Sequence, residues 1–153
     1  MDALMDRPSE QAALEVLRSF YAEMYEWELN AAKKRGAIDW QSFSKDEYMR
    51  DGAILRKKLE EIFERYCEVG VNSKRLRDPG LSFSLGKPTY DWQEEEIIAV
   101  TTKGNRAVVE TKELKAYGTY RKFELVESGH QWKIRDNLKY KFKSDSKWAP
   151  DIL

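Results

Sequence analysis

From Trp132 to Lys143 the chain alternates apolar and polar side chains over twelve positions with a single lapse. Trp132, Ile134, Leu138, Tyr140 and Phe142 share one parity; Lys133, Arg135, Asn137, Lys139, Lys141 and Lys143 share the other. Successive strand side chains point to opposite faces, so the pattern predicts one long half-buried β-strand with a basic outer face. The lapse is Asp136, a carboxylate on the apolar side. It marks either a bend or bulge, a common way for long strands to curve, or an acid facing a pocket.

The rest of the chain sets this strand behind helices. Ala13, Val16, Leu17, Phe20, Met24, Trp27 and Ala31 recur at three- and four-residue spacing and predict a first helix over about 8–35, its apolar stripe facing a core. Its start is expected near Asp6-Arg7-Pro8, with proline in the first turn. Lys33-Lys34-Arg35-Gly36 reads as its C-terminal charge pattern rather than a nucleic-acid patch. Ser44-Lys45-Asp46-Glu47 is a capping box, with Phe43 and Tyr48 placed as a hydrophobic staple. A second helix over about 44–69 follows, with Tyr48, Leu55, Leu59, Ile62, Phe63 and Tyr66 on its stripe and Gly70 as its stop.

Beyond Val71 the period changes. Asn72 to Gly80 reads as a loop and Leu81 to Leu85 as a short strand. Glu96–Thr102 and Arg106–Lys112 read as a hairpin across Lys103-Gly104-Asn105. Tyr117 to Glu127 is a further strand with Phe123 and Leu125 on one face, and Ser128-Gly129-His130 turns into the last. Helices first and an antiparallel meander afterwards is an α+β arrangement. One domain over 1–153 is expected: helices, a curved sheet over about 81–143, and a tail over 144–153. In that tail Trp148, Ile152 and Leu153 are too apolar to be purely solvated and are expected to dock on the body; exposed, they would make a partner-binding hook.

Composition narrows the chemistry. The 153 residues carry 27 basic and 27 acidic side chains, so no global field pulls in nucleic acid. No apolar run is long enough for a membrane span and no signal-peptide pattern opens the chain, which predicts a cytoplasmic protein without nucleic-acid or membrane partners. Cys67 and His130 are the only cysteine and histidine. Thiolate clusters, an intrachain disulfide and most nucleophile–base pairs are thereby excluded, and no metal or cofactor is expected. Cys67 reads as a small buried thiol.

The order of elements carries a resemblance. Gly129-His130-Gln131-Trp132-Lys133-Ile134, opening the last strand, resembles the nuclear-transport-factor-2-like (cystatin-like) fold, in which helices pack on a curved antiparallel sheet in a cone. Leu14 to Trp27, Tyr120-Arg121-Lys122-Phe123-Glu124-Leu125, Trp132-Lys133-Ile134 and the ending Lys147-Trp148-Ala149-Pro150-Asp151-Ile152-Leu153 are similar to the immunity proteins of that fold, including those associated with Rhs-type polymorphic toxins. The resemblance implies a non-enzymatic protein that binds and neutralises a cognate toxin through a non-catalytic complex. It assigns no role to Asp136.

The same fold also houses isomerases and dehydratases, which need an acid or base poised inside the cone. Here His130 falls in a predicted turn, and Asp136 with a nearby tyrosine has no visible partner base. A small-molecule enzyme using the cone pocket and a dimeric scaffold using the sheet face are the alternatives, with monomer and homodimer both open. Local charge offers two candidate surfaces. Asp91-Trp92-Gln93-Glu94-Glu95-Glu96 sets Asp91, Glu94, Glu95 and Glu96 around an aromatic, and would mate with a basic toxin surface; its plainer reading is a solvated strand entrance. Lys133, Arg135, Lys139 and Lys141 either meet an acidic partner or keep the sheet edge soluble.

Overall fold

The computed structural model describes residues 2–79, 88–114 and 118–153, with side chains from Pro8 onward. Its elements run in the expected order, as an α+β chain in which helices precede a curved antiparallel sheet. Helix α1 spans Asp2–Gly36 and α2 spans Lys45–Tyr66; a single turn, α3, covers Lys74–Arg77. Strands β1 (Glu95–Lys103), β2 (Arg106–Glu113), β3 (Tyr120–Ser128), β4 (Gln131–Ile134), β5 (Lys139–Lys141) and β6 (Ala149–Pro150) follow. The sheet order is β1-β2-β3-β5-β6, with β4 also paired to β3.

The helical stripes are where the periodicity put them. Ala13, Leu17, Phe20, Met24, Trp27 and Ala31 of α1 are buried, with Val16 packed at their margin. They meet Leu55, Leu59, Ile62 and Phe63 of α2. Within the seam the Trp27 indole N–H donates to the Leu55 carbonyl at 2.9 Å. Helix α1 starts earlier than expected, at Asp2, with Pro8 inside it. A proline near a helix start removes one ladder bond without ending the helix.

At the head of α2, the Glu47 N–H donates to the Ser44 hydroxyl at 3.3 Å, and the Phe43 and Tyr48 rings meet edge to face at 5.7 Å. Tyr48 is therefore a staple residue, with the Arg35 guanidinium 3.9 Å above its ring, and not part of the buried stripe. The helix ends at Tyr66, short of Gly70. Cys67 turns extended, caps the helix through its N–H to the Phe63 carbonyl, and forms a bridge with Ile134. Pairing with the sheet outcompetes further helix, and Gly70, at φ 51°, instead opens a short 3₁₀ turn. The expected loop over 72–80 thus contains a 3₁₀ turn and α3; the expected strand Leu81–Leu85 lies outside the described residues.

The long final strand is not continuous. Arg135 still bonds β3, its N–H donating to the Glu124 carbonyl at 2.8 Å, and pairing resumes with Lys139 opposite Lys122. Three residues, Asp136, Asn137 and Leu138, therefore face the single residue Phe123, and the register slips by two positions. Asp136 leaves the sheet to accept the Lys74 N–H at 2.8 Å, so it marks the bend and secures α3 rather than facing a pocket. A second irregularity, between Ile97 and Ala99 of β1, adds to the curvature.

The tail does more than dock. Its Ala149 and Pro150 add an edge strand on β5, so the sheet extends beyond residue 143. Leu153 is buried, Trp148 is half-buried, and Ile152 remains exposed.

These placements rank two substitutions. Ser44→Ala removes an exposed cap bond and should cost about 1 kcal/mol. Trp132→Ala removes a buried ring that is 4% exposed and should cost roughly 3–5 kcal/mol. Urea melts that reversed this order would contradict the inward register of β4.

Candidate partner-binding surface

The acidic segment is suspended from α1 before it enters the sheet. Glu28, buried on α1, accepts the Thr89 N–H at 2.7 Å and the Tyr90 N–H at 3.3 Å. Tyr90 is fully buried and meets Phe20 and Tyr21 edge to face at 5.2 and 4.9 Å. The next residues form a 3₁₀ turn, Trp92–Glu94, capped by Asp91, whose carboxylate accepts the Gln93 N–H at 3.2 Å. Trp92 lies half-buried with its ring 5.1 Å from Tyr21.

The period-2 geometry of β1 then divides the carboxylates. Glu95 turns inward and its side chain is 2% exposed. It accepts from the Tyr21 hydroxyl at 3.1 Å and from Arg121 at 3.2 Å. Arg121 also donates to the Thr89 carbonyl at 3.4 Å and lies 3.7 Å from Glu113. Burial pushes the Glu95 carboxyl above its ordinary range, opposed by the Arg121 charge and by the bond from Tyr21. Glu96 points outward and is exposed, and Glu94 is half-exposed on the turn. Of the five candidate residues, the fold places Glu95 in a structural ion pair. Asp91, Glu94 and Glu96 rim the outer edge, with Trp92 as their support.

The interior partners Tyr21, Glu28 and Arg121 are residues that the helical and strand patterns alone did not single out. A signal was present: Arg121 shares parity with Phe123 and Leu125, and Glu28 lies one turn beyond Met24 on the buried stripe. A charged residue at an inward position predicts a buried partner.

Aromatic side chains meet one another between the helices and the sheet. Tyr21 meets Phe123 at 5.8 Å, and Phe20 meets Phe63 at 5.7 Å. Burial raises the hydroxyl pKa of Tyr21 and Tyr90 and keeps both protonated. Burial, with the Asp136 charge nearby, likewise raises the Cys67 thiol. His130 is exposed in the β3–β4 turn at φ 66°. A groove of about 710 Å³ lies on the helical side, lined by Trp27, Ile62, Glu23, Glu26, Lys58 and Arg65 among others. There Arg65 and the Tyr66 hydroxyl both donate to Glu23. Among the described residues no group of His, Cys, Asp and Glu could hold a metal ion, and no helix is long and apolar enough to cross a membrane.

Comparison with known proteins agrees with this architecture. The model of the NTF2 fold immunity protein family matches residues 12–151. Immunity protein RhsIA of Dickeya dadantii (strain 3937) is 24% identical over 139 residues, covering 89% of this chain and 92% of that protein. No solved structure matches. With the match running from the first helix to the last edge strand, the chain belongs to the NTF2 fold immunity proteins.

Proposed function

We propose that this chain binds a cognate Rhs-type toxin made in the same cell and neutralises it in the cytoplasm by occlusion, without catalysis. Family membership across nearly the whole chain carries this reading, and the likeness to Immunity protein RhsIA supplies the Rhs-type partner. Two features of the interior support a binding role over a catalytic one. The rings of Phe20, Tyr21, Tyr90 and Phe123 pack edge to face against one another between α1 and the sheet, the side on which a cone enzyme would seat its substrate. The buried carboxyls described there are already engaged, Glu95 by Arg121 and Tyr21 and Glu28 by the Thr89 and Tyr90 N–H groups, whereas a general base must reach its substrate's proton.

The rim of Asp91, Glu94 and Glu96 is the proposed contact for a basic toxin surface. It is suited to the task because the chain beneath it is held by Glu28, Tyr90 and the Trp92–Tyr21 contact. A pre-set charged edge raises association rates more than it slows dissociation.

Co-expression with the product of the adjacent toxin-like reading frame tests the reading directly: the two chains should co-purify and the cells survive. Survival without any complex would point to detoxifying chemistry instead. His130→Ala and Asp136→Asn, which alter an exposed turn and a carboxylate engaged by Lys74, should leave protection intact wherever the variants fold.

Charge reversal should separate surface from support. Glu94→Lys with Glu96→Lys should slow association roughly tenfold at low salt, and added salt should slow the wild type, since exposed charges are screened within about 10 Å at 0.1 M salt. Glu95→Gln should leave that rate nearly unchanged. It should instead lower stability by about 3 kcal/mol, the lower end for a broken buried pair, because Glu113 remains close to Arg121. Stopped-flow kinetics and denaturant melts read the two effects; wild-type association by the double reversal would remove the rim from the interface.

A further inference from the structure

The basic parity of the last strand is put to two different uses. Lys133 turns its ammonium to the end of α2, donating to the Glu64 and Arg65 carbonyls at 2.9 and 2.7 Å. Arg135 is held by Glu68 at 3.3 Å and Glu124 at 3.4 Å. Lys139 and Lys141 instead stand on the outer face of the sheet, where the register adds further lysines. Lys112, Tyr120 and Lys141 form one row across β2, β3 and β5; Glu110, Lys122 and Lys139 form the next. Trp148, just before β6, extends this face. The Lys122 and Lys141 ammonium groups sit 4.4 and 4.8 Å from its ring centre. Lys112 and Lys141 lie 5.8 and 5.9 Å from that of Tyr120.

This arrangement is unfavourable for the free protein. Lys122 and Lys139 are direct cross-strand partners, and like charges so placed repel. Glu110 and Glu96 are cross-strand partners of Lys122 and Lys112, yet among the described residues none of the four lysines is within ion-pair distance of a carboxylate. The aromatic faces of half-buried Tyr120 and Trp148 attract these cations but do not neutralise them.

We propose that this outer sheet face, centred on Lys122, Lys139, Lys141 and Trp148, is a docking surface for an acidic protein segment. The inference goes beyond the toxin reading and does not depend on it, because the partner is defined here by its charge. Carboxylates along such a segment would relieve the Lys122–Lys139 repulsion. Single-stranded nucleic acid fits less well: it binds by stacking bases on open aromatic faces, and here ammonium groups lie over both rings. A second copy fits less well too, since a two-fold contact through this face would oppose lysine to lysine.

Titration of the isotope-labelled full chain with a decaglutamate peptide, followed by NMR, tests the surface. Amide shifts should concentrate at Lys112, Tyr120, Lys122, Lys139–Lys141 and Trp148. Lys139→Glu with Lys141→Glu should weaken binding roughly tenfold, as expected for charges that govern an exposed electrostatic contact. Lys33→Glu with Lys34→Glu, reversing the other basic cluster, should change it little. If the first pair fails to fold, Lys122→Gln with Lys139→Gln replaces it, with a smaller loss expected. Shifts spread equally over all basic clusters, unchanged binding by the folded variants, tighter binding of an oligothymidylate of equal length, or a dimer in sedimentation that these reversals dissolve would each overturn the proposal. Toxin protection in the same variants is a separate readout, so either reading can fail alone.

Discussion

The interior ion pair between Glu95 and Arg121 couples the helical layer to the sheet. A carboxylate removed from water needs a partner, and once paired it resists displacement because breaking the pair strands a charge. Glu95 lies at the start of β1, Arg121 on β3 and Tyr21 on α1, so one cluster joins elements far apart in the chain. The apolar contacts around it are numerous but interchangeable, whereas these bonds require one register of β1 and one rotation of α1. Glu28 works in the same way two turns further along α1, fixing Thr89 and Tyr90. The acidic rim inherits its position from both.

Much of this fold was legible because each element buries one face. Helix stripes and strand parity report directly on burial, and the last strand shows why such reading survives irregularity. An insertion of two residues slips the register by an even number, so Trp132, Ile134 and Leu138 all still point inward. Parity therefore disclosed the face of each residue, and its lapse at Asp136 marked where the strand breaks. The end of α2 was misplaced for a different reason. Gly70 is a local stop signal, but Cys67 finds a nonlocal partner in Ile134 three residues earlier. Local patterns carry no trace of that competition. The β6 strand was hidden for a similar reason, since two residues, one of them a proline, form a strand only where an open edge receives them.

The candidate surface was legible in composition but not in direction. Asp91-Trp92-Gln93-Glu94-Glu95-Glu96 announces charge, yet only β1 geometry separates the inward Glu95 from the outward Glu96. The lysine parity likewise announced a basic stripe, and only the tertiary structure removes Lys133 and Arg135 from it. In both cases the residues withdrawn from the surface are those that meet a second element. Glu96 and Lys139, on the outward parity of the same strands, stay exposed.

A chain with no net charge can still present strong local fields, and this sheet does so with a direction. Glu96 on β1 is the register partner of Lys112 on β2, which continues through Tyr120 to Lys141 on β5. The outer face thus runs from an acidic edge to a basic one. At physiological ionic strength the screening length is about 8 Å, and neighbouring strands are spaced by roughly 4.8 Å. The two ends are therefore partly independent, and a small partner can engage either end by itself. A partner broad enough to span β1 to β5 would meet both signs together. It would then be oriented by the face as well as attracted to it, because turning it end for end would place like charges opposite one another.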